Sequence, residues 1–174
     1  MQVINEDHYV VGDVEYRPGS YSYDEEKVGT RYVFVVIRTL VDPTDPKDLD
    51  QVHALQDRIK VSQERLGNFE VPDWDQSSQK KVRDALVVLG SSIPDSRAAF
   101  GSKGKIDPIR HLVPTALGWG GNPEKDAFYL NVTPVKNDGT TVYKLKVKDV
   151  PVDGFWSISV YNAEGYFQKA EPVK

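Results

Sequence analysis

The residues best suited to acid–base chemistry in this sequence are His111 and Asp126. A histidine acts as a general base or acid near neutral pH when a carboxylate orients its ring inside a cleft. Together, these residues would make a hydrolase-type enzyme that acts on a small polar or sugar-like substrate. The sequence shows neither the cleft nor the contact, and a buried, hydrogen-bonded His111 without a catalytic role is the favoured interpretation.

Aromatic and amide side chains after residue 117 could instead bind a ligand. Trp119 lies between glycines in the loop 118–123, where the backbone allows close approach and the indole offers a stacking face. A tight turn around a buried tryptophan is the favoured alternative for this loop. Further along, aromatic residues fall opposite the main apolar face of the predicted strands, as a stacking surface for a sugar ring would require. The predicted ligand-binding residues are Trp119, Asn122, Tyr129, Asn131 and Tyr161.

Metal and thiol chemistry are not predicted. The chain has no cysteine, which excludes thiolate zinc sites, cysteine nucleophiles and disulfide bonds. Its histidines, His8, His53 and His111, share no spacing that is typical of a metal site. No serine lies in a Gly-x-Ser-x-Gly motif. We therefore expect no metal ion and no cofactor.

Length and charge narrow the classes of protein further. A chain of 174 residues can bury a core as one domain or two small ones without disulfide bonds. Its 22 Lys and Arg against 26 Asp and Glu give a net charge of −4, so nucleic acid is not expected as a partner. No stretch approaches the ~20 apolar residues of a membrane span, and the first residues do not resemble a signal peptide. We expect a soluble chain whose compartment the sequence does not fix.

The predicted fold class is α+β, a mainly antiparallel and sandwich-like β-sheet with three or four helices packed on it. Alternating apolar and polar residues over 127–168, with turns at 137–139 and 152–154, predict an antiparallel meander. The apolar, β-branched run 31–41 predicts a central strand that is covered on both faces.

Helices are predicted to position the candidate residues, over 45–60, 78–90 and 107–113. Asp45 and Asp107 can cap the first and the third, and each is followed by a proline suited to the first helical position. Pro114 should break or kink the third helix near Val113, since a proline inside a helix costs ~3 kcal/mol.

Two runs of the sequence resemble a bacterial family of tandem domains. Residues 31–57, RYVFVVIRTLVDPTDPKDLDQVHALQD, resemble the end of the domain of unknown function numbered 1254. Residues 118–167, beginning GWGGNPEKDAFYLNV, resemble the start of the domain numbered 1214 that follows it. The resemblance implies β-rich, sandwich-like domains with helices between them, in proteins that are often exported. Family members are longer, so the resemblance also implies a short or truncated member.

Three functions remain open for this chain. The first is a β-rich module that binds a small-molecule or carbohydrate-like ligand in an open groove at the aromatic residues, and it is the one we expect. The second is the hydrolase. The third is a non-catalytic interaction or oligomerisation piece, whose incomplete sheet pairs in a homo-oligomer or with a strand-completing partner. The predicted segments are the end of a first unit at 1–62, a helical linker at 63–126 and the meander at 127–174.

Overall fold

The computed structural model describes residues 1–127, 129–162 and 166–167 of the chain. The chain divides into two compact units, Met1–Asn131 and Val132–Lys174. Every helix and strand among the described residues belongs to the first unit, and none of these helices is long and apolar enough to cross a membrane. In chain order the elements are β1 (Gln2–Asn5), α1 (Glu25–Val28), β2 (Val33–Val36), α2 (Pro46–Gln56), α3 (Gln76–Gly90) and α4 (Pro108–Leu117).

Strand β1 has a backbone partner on each side. It pairs antiparallel with β2, in a register that places Gln2 opposite Val36. On its other side the chain returns after a tight loop, and the Val11 N–H donates to the Val3 carbonyl at 2.9 Å. All of β1 is buried, and Val3 forms a core with Val11 and Val28. Backbone partners on both sides allow this short strand to be buried.

The polar residues of β1 are buried with their hydrogen bonds made. Gln2 is 2% exposed, and its Nε2 donates to the Gly121 carbonyl at 3.1 Å. The Nδ2 of Asn5 donates to the Val28 carbonyl at 3.1 Å. A buried amide without a partner costs free energy, so these bonds explain why the polar ends of the strand can enter the core.

Helices α2, α3 and α4 each begin at an aspartate cap. The side chains of Asp45, Asp75 and Asp107 accept hydrogen bonds from backbone N–H groups of the first turn. These bonds satisfy donors that a helix leaves free at its start. Helices α3 and α4 pack against each other. The contact is close, because a Cβ at Gly90 would lie 2.5 Å from Leu117 Cδ1.

The three predicted helices form, with different ends. Helix α2 ends at Gln56 instead of residue 60, and α3 begins at Gln76 instead of residue 78. Helix α4 continues through Pro114 to Leu117, so the predicted break before this proline is wrong. Proline removes one N–H from the helix, and the Gly118 N–H still donates to the Pro114 carbonyl at 2.9 Å.

The predicted α+β fold with a mainly antiparallel, sandwich-like sheet is wrong. Among the described residues the sheet has two strands, β1 and β2, and most of the chain is coil and helix. The predicted central strand 31–41 forms only at Val33–Val36. There Phe34 is 50% exposed and Val35 44% exposed. An apolar strand sequence is buried only where other elements cover it, and β2 lacks that cover on the described part of the chain.

The predicted meander over 127–168 does not form in the described residues of that range. Isolated bridges occur there, one of them between Tyr161 and Phe167. Alternation makes a strand amphipathic, but a strand is stable only with a paired neighbour and a covered face. In the second unit apolar side chains stay exposed, with Val135 at 99% and Val142 at 95%. The parts of the prediction at 128, 163–165 and 168 lie outside the described residues.

Candidate functional site

The loop 6–8 links β1 to its returning neighbour and positions His8. Asn5 closes the loop, since its carbonyl accepts from the His8 N–H at 2.9 Å and its Oδ1 accepts from the Tyr9 N–H at 3.0 Å. His8 has a φ of 66°, in the left-handed region. Glycine is usual at the third position of such a loop, and another residue costs about 1–2 kcal/mol there. The backbone therefore holds an imidazole where glycine would fit more easily.

Helix α4 supplies His111, the predicted catalytic histidine. The residue is 4% exposed, with Nδ1 2.9 Å from the Ala99 carbonyl oxygen and Nε2 2.9 Å from the Asp7 carbonyl oxygen. Tyr9 stacks on the ring, with the two centroids 4.1 Å apart. His111 is thus buried and hydrogen-bonded, as the favoured interpretation of the sequence has it. Because the bond to Asp7 crosses from helix to loop, the ring fastens the loop 6–8 to α4.

A cavity of about 500 Å³ lies between this loop and α4. Its walls include Tyr9, Pro108 and Leu112. Two other lining residues carry buried polar atoms, His8 Nδ1 and Thr115 Oγ1, that have no hydrogen-bond partner among the described residues. Buried polar atoms in proteins nearly always have such a partner. A water-sized molecule does not reach either atom, so a ligand in the cavity would contact them only after the His8 ring or the Thr115 side chain had turned.

Charged side chains lie at the exposed edge of the cavity. Lys103 Nζ is 3.3 Å from Asp7 Oδ2, and their side chains are 69% and 50% exposed. Glu6 is exposed as well. Inside, burial lowers the pKa of His8, the neighbouring His111 lowers it further, and Asp7 opposes both effects. The neutral form of His8 is therefore favoured, beside an edge that carries charged side chains.

Asp126, the predicted catalytic carboxylate, has other partners. The Tyr16 hydroxyl donates to its Oδ1, and this hydrogen bond raises the pKa of Tyr16. Beside it, Lys125 pairs with Asp13 at 2.8 Å. The ring nitrogens of His111 contact carbonyl oxygens instead of a carboxylate. In the described part of the chain, no hydrogen bond joins the predicted catalytic pair.

The glycine-flanked loop presents its tryptophan to solvent. Trp119 is 66% exposed and meets Phe34 edge-on, with ring centroids 5.4 Å apart. The alternative of a buried tryptophan is therefore wrong. Asn122 Nδ2 donates to the Tyr129 hydroxyl at 3.3 Å, so the structure brings these two predicted ligand-binding residues together.

The other predicted ligand-binding residues are Asn131 and Tyr161. Asn131 is exposed and ends the first unit. Tyr161 belongs to the second unit, where it stacks on Phe167 with ring centroids 4.7 Å apart. Because Tyr161 lies in the other unit, the predicted groove that it shares with Trp119 and Tyr129 stays a prediction.

The sequence patterns do not identify His8 or Thr115 as site residues. The polar run 5–8 lies between the apolar pairs 3–4 and 10–11, which is typical of a short hairpin. That signal could have placed His8 in a loop. The closure of α4 over this loop depends on contacts between distant parts of the chain, and no local pattern shows them.

Neither a metal centre nor a known relative defines the site. No group of three or more His, Cys, Asp or Glu side chains in the described ranges is placed to hold a metal ion. No family model, curated protein or solved structure matches the chain. The resemblance to the domains numbered 1254 and 1214 stays a prediction, so the function has to be argued from the geometry of the site.

Proposed function

We propose that this protein binds a small polar molecule in the cavity between the loop 6–8 and α4. The observation that carries the proposal is that two residues lining one cavity, His8 and Thr115, each hold a buried polar atom without a partner on the described part of the chain. A buried polar atom without a hydrogen bond costs about 1–3 kcal/mol. A molecule that bonds to both atoms would recover that free energy.

The backbone at His8 supports the same proposal. Its φ of 66° costs free energy that a glycine would not lose. Residues in such conformations cluster at binding and catalytic sites, where the surrounding structure holds them in place. The presence of an imidazole at this position is explained if the ring contacts a ligand in the cavity.

The contacts of His111 favour binding over hydrolysis. A general base needs a ring nitrogen that can take a proton from the substrate or from a water molecule. Both nitrogens of His111 lie 2.9 Å from carbonyl oxygens, and the ring contacts Tyr9 and Phe100. In our proposal His111 shapes the cavity, while His8 and Thr115 contact the ligand.

The loop around Trp119 is the alternative location for a ligand. Its indole is 66% exposed and offers a face on which a sugar ring can stack. Small-molecule sites are usually concave, however, with a few polar groups that fix the orientation of the ligand. The cavity at His8 is open, but several polar groups line it, so we place the ligand there and use Trp119 as a comparison in the experiment.

Isothermal titration calorimetry with sorbitol, gluconate and glucamine tests the proposal. These probes share a six-carbon polyol skeleton and differ in charge. We expect at least one of them to bind saturably, and His8→Gly and Thr115→Val to weaken that binding about tenfold or more, because each variant removes one hydrogen bond. Trp119→Ala and His53→Ala, at exposed positions, should leave the affinity unchanged. His8→Gly suits the left-handed backbone and should fold.

Other outcomes of the titrations would contradict the proposal. Loss of binding in Trp119→Ala alone would move the ligand to the loop and contradict the proposal. Saturable binding by none of the probes, or binding that both cavity variants retain in full, would contradict it as well. Far-UV circular dichroism of every variant separates a loss of binding from a loss of structure.

A further inference from the structure

The two contacts of the His111 ring together require a proton on each ring nitrogen. Nδ1 lies 2.9 Å from the Ala99 carbonyl oxygen, and Nε2 lies 2.9 Å from the Asp7 carbonyl oxygen. A carbonyl oxygen only accepts hydrogen bonds, and a neutral imidazole has a single N–H to donate. In the neutral ring, one nitrogen would therefore direct its lone pair at an oxygen 2.9 Å away. Both contacts are hydrogen bonds only when the ring is an imidazolium cation.

Several groups around the ring favour this charge. The imidazolium donates two charge-assisted hydrogen bonds, which are stronger than bonds between neutral groups. Tyr9 stacks on the His111 ring with the centroids 4.1 Å apart, and the face of an aromatic ring attracts cations. The carboxylates of Glu6 and Asp7 line the same cavity as His111, so they also favour a positive charge there.

Other groups oppose the charge. His111 is 4% exposed, and burial disfavours an ion. Lys103 lines the same cavity and repels a second cation, although it pairs with Asp7 at 3.3 Å. His8 is the other titratable neighbour, and a positive charge on His111 lowers the pKa of His8. The two histidines therefore compete for one positive charge.

The charged groups of α4 give the His111 ring no partner. The carboxylate of Asp107 accepts from the backbone N–H groups of Ile109 and Arg110, and it offsets the positive end of the helix. The Arg110 side chain points its Nε at the Arg97 carbonyl oxygen, 2.8 Å away. In the described part of the chain, carbonyl oxygens rather than a paired carboxylate thus hold the second proton of His111. A rise in pH can remove a proton that is held in this way.

The loss of one proton should break the bond to Asp7 and keep the bond to Ala99. Ala99 is 0% exposed, so its carbonyl oxygen would have no partner if the ring let go of it. Asp7 is exposed and its bond to the ring is only partly buried, so water can replace the ring there. The neutral ring should therefore carry its proton on Nδ1.

From these contacts we infer that His111 is a pH-dependent latch between the loop 6–8 and α4. The doubly protonated ring holds both carbonyl oxygens and fastens the loop to the helix. As the pH rises, Nε2 gives its proton to hydroxide and releases Asp7. Because the folded chain holds this proton more tightly than the unfolded chain, the latch stabilises the fold at acidic pH and is lost as the pH rises. The inference goes beyond the proposed function, since the latch acts with or without a ligand.

A count of the protons on each histidine ring, by side-chain ¹⁵N NMR of the full chain, tests the latch. An unperturbed histidine, with a pKa of about 6.5, is largely neutral at about pH 7.5. At that pH both nitrogens of His111 should carry a proton, while the exposed His53 should show one proton per ring. By about pH 9.5, three units above the ordinary value, Nε2 of His111 should have lost its proton. The ¹³C signal of the Asp7 carbonyl should shift with that loss, and the Ala99 carbonyl signal should shift less.

Two variants separate the latch from the neighbouring histidine. His111→Gln carries its donors on a single nitrogen and cannot bond to both carbonyl oxygens, so the Asp7 carbonyl signal should lose its pH dependence. In His8→Gly the signal should keep that dependence. A single proton on the wild-type His111 ring at about pH 7.5 would overturn the inference. An Asp7 signal that stays fixed while Nε2 loses its proton, or that still shifts in His111→Gln, would overturn it too, as would loss of the shift in folded His8→Gly.

Discussion

The first unit has a small buried apolar core, whereas no apolar side chain is buried among the described residues of the second unit. In Met1–Asn131, Val3 is 1% exposed and Ala99 is 0% exposed. Among the described residues of Val132–Lys174, Val135 and Val142 are 99% and 95% exposed. Apolar side chains are plentiful in both units, so their number alone does not explain the difference.

The hydrogen bonds of the two units differ in reach. In the first unit, Gln2 bonds to Gly121 across 119 residues, and His111 bonds to Asp7 across 104. In the described part of the second unit, Asp138 bonds to Thr141 and closes a local turn. Long-range bonds satisfy polar groups that enter a core, and the apolar residues between them can then be buried. In the first unit, long-range polar bonds and buried apolar residues therefore occur together.

A pair of valine variants gives the largest expected difference between the units. Val3→Ala should lower the free energy of unfolding by about 2.5 kcal/mol, because it removes buried apolar volume from the core. Val142→Ala should change it by less than about 0.5 kcal/mol, as exposed substitutions usually do. Urea unfolding followed by circular dichroism measures both values. Equal effects would mean that the second unit also has a core.

A pair of glycine variants tests how tightly the first unit is packed. A Cβ at Gly121 would lie 2.3 Å from ring atoms of Phe100, which is 6% exposed. Gly121→Ala should therefore cost about 2 kcal/mol through overpacking. At Gly90 the new Cβ meets the end of the Leu117 side chain, which is 39% exposed and can rotate away.

Gly90→Ala is the matched control for that comparison. Alanine is favoured over glycine in a helix by about 1 kcal/mol, which offsets the cost of moving Leu117. The unfolding free energy of Gly90→Ala should stay within about 1 kcal/mol of wild type. A larger loss of stability in Gly90→Ala than in Gly121→Ala would contradict this. It would show that the contact between α3 and α4 is more rigid than the contact between Gly121 and Phe100.

Acid should destabilise the first unit through His8. Burial and His111 hold the pKa of His8 below its ordinary value of 6.5, and Asp7 opposes them. As the pH falls below 6.5, the unfolded chain takes up a proton first, so stability falls until the folded His8 is protonated too. Above this window His8 contributes no pH dependence.

His8→Gly should therefore lose less stability than the wild type between about pH 7 and pH 5. His53→Ala, the control at an exposed histidine, should follow the wild type. Urea midpoints at several pH values measure the difference. Parallel curves for the wild type and His8→Gly would mean that folding does not change the pKa of His8.

The smallest effect is expected in the second unit, at Asp138. The backbone N–H groups of Thr141 and Thr140 donate to its carboxylate and hold its pKa below the usual range. Asp138→Ala should change the amide chemical shifts of Thr140 and Thr141 and leave the urea midpoint of the first unit unchanged. A shift of that midpoint would show that the turn contributes to the stability of the first unit.

Local features of the fold could be predicted from the sequence. The aspartate caps at Asp45 and Asp107 act on the turn that follows them, so the sequence alone locates the starts of α2 and α4. The sheet could not be predicted in the same way. Alternation is present in 129–162, but pairing and cover depend on distant segments, and the strands do not form there.

The residues of the candidate site also differ in how far the sequence could predict them. His111 could be identified because its residue type and its helix are visible in the sequence. The role proposed for His8 depends on a left-handed backbone and on a hydrogen bond from α4 to the loop beside it. Thr115 belongs to the site because of the way α4 faces that loop. Such contacts arise only in the folded chain.

The most direct test of ligand binding at the cavity is the side-chain ¹⁵N NMR spectrum of the histidines during a titration with the probe that binds most tightly. The chain has three histidines, and His8→Gly and His53→Ala assign two of the three sets of signals. Our account predicts that the His8 Nδ1 signal shifts saturably and that the His53 signals stay fixed. A folded protein whose His8 signals do not move at a saturating concentration of that probe would contradict it.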